Sequence, residues 1–356
     1  MARRSSALPV RVALICVVAS GGLSGCLGLG GDDEQEPAEG EHLIVSVGDS
    51  VASGEGNPAS SGGRWLRPSR CHRAETSGPR IAAAELIAAN PDSGLRFISY
   101  ACSGATIDRG LLGPFRPRRF QPAEPPQLDR VDALTPRATI DALMISIGAN
   151  DVGFSKIVAF CATERDCQDS RTFAPAERWA EEEHRPVPTL DAFVRRRIVE
   201  LRRAYERVDV RVPSEIDRHR VLIVEYFDPT RWPPRTQCAI FRQRLTPDPE
   251  EGLVTTKESR WAHDQVLIPL NDAIHGAAGE NGWTLVEQVD ERFDGHGICA
   301  PKKQRWVRTL GESLEMQHDH LGTLHPNEAG HRATAELIRS RLADVLGLRA
   351  ADEEGP

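Results

Sequence analysis

The 356-residue sequence predicts an α/β domain built on a parallel five-stranded sheet. Five short apolar runs indicate strands, and most are near-continuous in apolar residues, as in strands that are covered on both faces. Helical patterns lie between the runs, and this alternation favours right-handed crossovers within one sheet. The predicted strands span 42–47, 95–100, 141–147, 220–226 and 284–289.

The helical segments alternate with these strands along the chain. The clearest spans 190–208, where apolar side chains recur every three or four residues from Val194 to Val208 and form one face. The other predicted helices span 78–90, 258–278 and 327–347. Long segments without clear periodicity are predicted to be insertions that frame or cover a site. These insertions span 110–127, 155–188 and 228–257.

The first 25 residues have the pattern of a secretory signal, in which arginines precede an apolar stretch too short to span a bilayer. "LSGC" at 23–26 resembles a bacterial lipobox, in which Cys26 becomes the acylated first residue. An ordinary cleaved signal is the alternative. We therefore expect an extracytoplasmic protein, anchored by lipid to the outer face of the membrane or the cell envelope. The acidic segment 26–41 would be a flexible tether.

Charge and cysteine usage agree with export. The net charge is −8, and loss of the signal removes three arginines and no acids, which leaves −11. This balance argues against nucleic acid as a partner. Cys16 leaves with the signal and Cys26 takes the lipid, so six cysteines remain and imply three disulfides with 15 possible pairings. The "HDH" segment at 318–320 lacks partners at ligand spacing, so no metal site is predicted.

Polar motifs follow the predicted strand ends, where an open parallel sheet binds its ligands. The motifs are "GDS" (48–50), "ACSGAT" (101–106) and "GAND" (148–151), with "LHPNEAGH" (324–331) opening the last helix. A serine hydroxyl is a weak nucleophile that needs a general base within hydrogen-bond reach. His325 is the best candidate base for Ser50, because Pro326 fixes the loop that enters the last helix.

Together the four motifs resemble the blocks of the GDSL, or SGNH, hydrolase family over about residues 42–346. The similarity is closer to the secreted actinobacterial-type esterases and lipases, which carry segments like "GEGNP" (54–58), "CHR" (71–73) and "GHGIC" (295–299) and six cysteines. The resemblance implies a three-layer α/β/α sandwich with a flavodoxin-like sheet. The hydrolase domain would span 42–347, with a disordered tail at 348–356.

The resemblance also implies the site residues. Ser50 would be the nucleophile and His325 its base. The backbone N–H groups of Ser50 and Gly104 and the side chain of Asn150 would form the oxyanion hole. The implied disulfides are Cys71–Cys102, Cys161–Cys167 and Cys238–Cys299.

The sequence departs from the family at one position. The usual aspartate, three residues before the histidine, is replaced by Gly322. We expect the Gly322 carbonyl to accept the Nδ1–H bond instead and so to set the tautomer of His325, with Asp319 as the alternative.

The sequence therefore predicts a monomeric serine ester hydrolase, an esterase or lipase that works through an acyl-enzyme without a metal or organic cofactor. The substrate could be an acyl lipid, a short-chain ester or an acetylated glycan. The alternative is a non-catalytic surface lipoprotein that keeps the fold and binds glycan or lipid, which the missing acid motivates.

Overall fold

The structure, a computed structural model, describes residues 36–59, 65–67, 69–117, 121–240 and 253–350. The predicted signal, Cys26, most of the predicted tether and the last six residues of the predicted tail lie outside these ranges. Within them, no helix combines the length and apolar character needed to cross a membrane.

Five parallel strands form one sheet in the order β2-β1-β3-β4-β5. They are β1 (Glu41–Gly48), β2 (Leu95–Ser99), β3 (Ala138–Ser146), β4 (Val221–Val224) and β5 (Thr284–Val286). This is the strand order of flavodoxin-like doubly wound folds, so the predicted fold class is confirmed. β1, β3 and β4 lie inside the sheet and are buried along most of their length, which explains why their sequences are apolar rather than alternating.

Helices flank the sheet, with α2 packed on α12 and α7 packed on α9. The helices are α1 (Ser50–Ser53), α2 (Gly78–Ala89), α3 (Gln127–Asp132), α4 (Ala149–Val152), α5 (Phe154–Cys161), α6 (Ala174–Glu182), α7 (Leu190–Arg211), α8 (Thr256–Ala262), α9 (Ile268–Asn281), α10 (Val289–Arg292), α11 (Leu310–Gln317) and α12 (Glu328–Leu346). Each predicted helix is present, although a π-helical turn at His263–Leu267 divides the one expected at 258–278.

The insertion at 155–188 is more regular than its sequence indicates. It contains most of α5 and all of α6, which have eight and nine residues. Each makes little more than two turns, too short for a helical period to stand out.

Near the C-terminus, the backbone of Arg349 makes two hydrogen bonds with the side chain of Asn90. The predicted tail therefore begins with residues that are held to the domain.

Three disulfides join the pairs that the family resemblance implies: Cys71–Cys102, Cys161–Cys167 and Cys238–Cys299. The first links the segment after β1 to the loop after β2, so it joins two of the loops at the carboxyl edge of the sheet. A bridge that closes a loop of this length stabilises a domain by roughly 2–4 kcal/mol.

Candidate active site

Ser50 is the first residue of α1 and directly follows the end of β1. Asp49 caps this helix, because its carboxylate accepts a hydrogen bond from the Val51 N–H at 2.9 Å. The other carboxylate oxygen accepts from the Tyr226 hydroxyl at 2.7 Å, just beyond β4. Burial raises the pKa of Asp49 to about 6, against the lowering effect of these hydrogen bonds. The serine is thus held at the carboxyl edge of the sheet.

The loop before α12 brings His325 to this serine across 275 positions of sequence. The Nε2 atom of His325 lies 2.8 Å from the Oγ atom of Ser50. Burial lowers the pKa of His325 below its ordinary value. A neutral imidazole near pH 7 leaves Nε2 free to accept the hydroxyl proton.

The prediction that the Gly322 carbonyl accepts the Nδ1–H of His325 was wrong. The Nδ1 atom of His325 faces the carbonyl of Thr323 at 3.3 Å, whereas the Gly322 carbonyl accepts from the backbone N–H of His325 at 3.1 Å. The Asp319 carboxylate accepts from the side chain of Gln317 and the N–H of Leu321. The Gly322 carbonyl closes a turn with the His325 N–H, so the carbonyl that faces the imidazole ring is that of Thr323.

The donors expected for an oxyanion lie just after the ends of three strands: Ser50 begins α1 after β1, Gly104 lies in the loop after β2, and Asn150 lies in α4 after β3. The Asn150 side chain donates one of its two N–H groups to the carbonyl of Ala105 at 3.0 Å, which leaves the other for a ligand. Gly104 has a φ of +86°, a conformation that suits glycine. In the part of the chain that the structure describes, neither the Ser50 N–H nor the Gly104 N–H donates to another protein group. Asp151 holds the loop after β2 that carries Gly104, since its carboxylate accepts a hydrogen bond from the Ile107 N–H.

An apolar cavity of about 380 Å³ opens beside Ser50, His325 and Asn150. This volume lies within the range of small-molecule sites. Its wall combines helical residues, the segment after β4 and the histidine loop. Apolar wall residues include Phe154, Val158, Phe227, Leu267, Leu270 and Leu324. Phe154 and Val158 belong to the insertion at 155–188 or lie next to it, as expected of a segment that frames a site.

The described residues contain no group of three or more His, Cys, Asp or Glu that could hold a metal ion. His318 ends α11 in a left-handed conformation with φ of +65°, and the Asp319 carboxylate is occupied within its own turn. The "HDH" segment is therefore part of the turn that leads into the histidine loop.

Glu55 and His72, for which the sequence indicated no role, form a buried pair beside the site. Glu55 is fully buried, and its carboxylate lies 2.9 Å from the Nδ1 atom of His72. Trp65 stacks on the His72 ring at 4.4 Å. Burial acts to raise the pKa of Glu55, but the His72 hydrogen bond and the charges of His72 and His325 outweigh it and lower that pKa. In the sequence, the feature that could have pointed to this pair is the glutamate between two glycines at 54–56.

The sequence matches a known family of proteins. A model of the GDSL-like lipase/acylhydrolase family matches residues 46–333, well over half of the chain. The chain belongs to this family. A lipase from Streptomyces rimosus is 25% identical over 286 residues, which cover 80% of this chain and 81% of the lipase. The chain is thus a carboxylic ester hydrolase.

Solved structures of the family share the fold. Phospholipase A1 from Streptomyces albidoflavus NA297 is 20% identical and superposes with a TM-score of 0.51 over 85% of this chain and 100% of that one. The extracellular lipase from Streptomyces rimosus is 22% identical and has a TM-score of 0.50 over 85% of this chain and 99% of that one. These similarities agree with the sheet order described above.

Proposed function

We propose that Ser50 and His325 are the catalytic pair of this ester hydrolase. The observation that supports the proposal is the 2.8 Å distance between Ser50 Oγ and His325 Nε2. A serine hydroxyl becomes an effective nucleophile when a base within hydrogen-bond reach takes its proton. The lowered pKa of His325 keeps that base unprotonated at neutral pH.

The reaction follows from this geometry in two steps. Ser50 Oγ attacks the ester carbonyl carbon while His325 Nε2 takes the hydroxyl proton. The tetrahedral oxyanion accepts hydrogen bonds from the N–H groups of Ser50 and Gly104 and from the Asn150 amide. Collapse breaks the bond to the alcohol, which receives the proton from His325. A water molecule then attacks the acyl carbon while His325 takes its proton; the bond to Ser50 Oγ breaks, Oγ receives the proton from His325, and the carboxylic acid leaves.

The cavity beside Ser50 favours esters with an apolar acyl chain. An acetyl group would leave most of its volume of about 380 Å³ empty. Leu253, Leu310 and Leu321 line the same cavity and are each more than 40% exposed, so the apolar wall continues to the surface. We therefore propose acyl lipids or related esters as substrates, ahead of acetylated glycans.

Hydrolysis of p-nitrophenyl esters, from acetate to palmitate, tests this function on the purified protein. Ser50→Ala should lower kcat by at least about 10³-fold. Ser155→Ala is the matched control, because Ser155 is an exposed serine in the wall of the same cavity, and it should change kcat less than threefold. Rates should be highest for acyl chains longer than butyrate.

Two results would contradict the proposal. Equal rates for the parent protein and Ser50→Ala would favour the non-catalytic lipoprotein that binds glycan or lipid. A preference for acetate would leave the catalytic pair intact but overturn the assignment of the cavity to the acyl chain.

We also propose that lipid on Cys26 anchors the protein outside the cytoplasm. The "LSGC" motif supports this proposal, as do the three disulfides, which form in oxidising compartments. Incorporation of a labelled fatty acid in the bacterial host should disappear in Cys26→Ser. Label that persists in this variant would contradict the anchor.

A further inference from the structure

Position 322, where the family pattern has its aspartate, has no room for a side chain. A Cβ atom on Gly322 would lie 2.7 Å from the Cα atom of Gly56 and 2.9 Å from Oε1 of Gln317. Gly322 is therefore needed for this close approach of two backbones, whereas a Cβ atom on Gly56 would meet Gly322 at an ordinary 3.4 Å. The segment that follows the nucleophile occupies the space that an orienting acid would need.

The same segment carries a buried carboxylate of its own. Glu55 precedes Gly56, and its Oε1 atom accepts a hydrogen bond from Nε2 of Gln317 at 2.7 Å. The same Gln317 nitrogen also lies 2.5 Å from Oδ1 of Asp319. Glu55 thus belongs to the hydrogen-bond cluster that braces the loop of His325.

Further contacts hold this segment to the chain on either side of the histidine. The Asn57 amide donates to the Pro326 carbonyl at 2.7 Å. Arg308 donates from its guanidinium to the Gly56 carbonyl and to the Asn57 side chain, at 3.0 and 2.9 Å. Its backbone N–H donates to the His325 carbonyl at 2.8 Å. The segment 55–57 and the histidine loop are therefore one packed unit.

We propose that Glu55 is the positioning residue for His325, supplying from the nucleophile's own segment the buried negative charge that position 322 cannot carry. This inference rests on the proposed function. When Ser50 loses its proton, the imidazole becomes a cation, and a fixed anion in poorly solvated surroundings stabilises that cation. Glu55 acts through space and through Gln317, while the Thr323 carbonyl accepts the Nδ1–H.

The charges around His325 agree with this role. Burial lowers the pKa of His325, and the Glu55 charge is the largest effect that opposes the lowering, ahead of the Thr323 and Leu321 carbonyls. The charge of His72 adds to the lowering. Several other charged and titratable groups lie near His325. Glu55 and His72 come from the segment between α1 and α2, Arg308 from the segment before α11, His331 from α12, and Asp319 and His320 from the loop of His325 itself.

Glu55→Gln in the full-length protein tests the proposal, because the amide keeps the shape of the side chain and removes its charge. We expect kcat to fall about tenfold with KM unchanged, and the acid limb of the pH profile of kcat/KM to move about one pH unit lower. The limb moves down because loss of the anion makes His325 harder to protonate.

Glu225→Gln is the matched control, because Glu225 is another buried glutamate paired with a histidine, His275, at 2.7 Å. It should lower the unfolding temperature comparably and leave the acid limb in place. If Glu55 has only a structural role, Glu55→Gln will also leave the acid limb in place.

An NMR titration of the His325 ring, made in a Ser50→Ala background, gives a readout that does not need activity. A pKa of His325 that is the same with and without Glu55→Gln overturns the positioning role. If Glu55→Gln does not fold, the proposal is decided by Gln317→Met, which removes the hydrogen bond that Gln317 donates to Glu55; an unmoved His325 titration in this variant overturns the positioning role. The proposed function fails separately, if Ser50→Ala retains full activity in the ester assay.

Discussion

Restoring the family's usual aspartate at position 322 should damage this protein. A Cβ atom at this position would lie 2.7 Å from the Gly56 Cα, whereas ordinary contacts begin at 3.4 Å. The two backbones must therefore separate by at least about 0.3 Å to reach the shortest contacts that Cβ atoms make, and by about 0.7 Å to reach an ordinary contact. Overpacking of this kind costs roughly 1–3 kcal/mol. Because the Gly322 carbonyl also accepts the His325 N–H, the shift would reach the imidazole.

Gly322→Ala is the smallest form of this change. A misplacement of about 1 Å can cost up to 10²-fold in rate, so we expect kcat/KM to fall about 10- to 100-fold. The free energy of unfolding should fall by about 1–3 kcal/mol. Gly322→Asp should lose at least as much activity, although it recreates the residue type of the family pattern. Ester hydrolysis and urea unfolding measure the two effects.

Gly276→Ala provides the control, because Gly276 lies in α9 with no atom within 4 Å of its added Cβ. Alanine in a helix should stabilise the protein by about 0.5–1 kcal/mol there and leave kcat/KM unchanged. The reasoning would be refuted by a Gly322→Ala protein that keeps its stability and its rate within twofold. A gain in kcat/KM for Gly322→Asp would refute it more strongly.

Three further predictions concern the surroundings of the site. Tyr226→Phe removes a hydrogen-bond donor to buried Asp49 and so raises the pKa of that carboxyl above 6. The free energy of unfolding should therefore fall by about 1–3 kcal/mol at pH 8 and by less at pH 4. An equal fall at both pH values in urea unfolding would contradict this. Val158→Trp should fill the cavity and lower the palmitate-to-acetate rate ratio at least about tenfold; an unchanged ratio would place the acyl chain elsewhere. Burial lowers the pKa of His331 to about 3, from 6.5, so this residue contributes stability that is lost as the pH falls from 6.5 towards 3. His331→Met removes the acceptor of the Gly78 N–H and should cost about 1–3 kcal/mol at pH 8 while flattening that acid decline; an unflattened decline in urea midpoints would assign it to other groups.

The strands could be predicted because burial on both faces makes their sequences continuously apolar. The long helices could be predicted because apolar side chains recur along one face. The apolar runs locate β1 to β5 within a few residues. The short helices α5 and α6 left no such pattern, since two turns do not establish a period. The pairing of Ser50 with His325 was implied by the resemblance of the four motifs to the GDSL family; three of these motifs follow strand ends, which a parallel sheet brings to one edge.

The finer contacts of the site could not be predicted, because they depend on backbone angles and on distant pairings. The Thr323 carbonyl, not that of Gly322, meets the His325 ring because Leu324 has a φ of +66° and turns the chain between them. Nothing local in the sequence connects Glu55 with Gln317, 262 positions away. Such contacts are set by the packing of whole segments rather than by a pattern within one of them.

Covalent labelling tests the central claim most directly. An alkyl p-nitrophenyl phosphonate transfers its phosphonyl group to an activated serine and releases p-nitrophenolate. Mass spectrometry of the peptides should find one phosphonyl group, on Ser50, and none on the same peptide of His325→Ala. A protein that hydrolyses esters but is labelled at another residue, or is labelled equally without His325, would contradict the account.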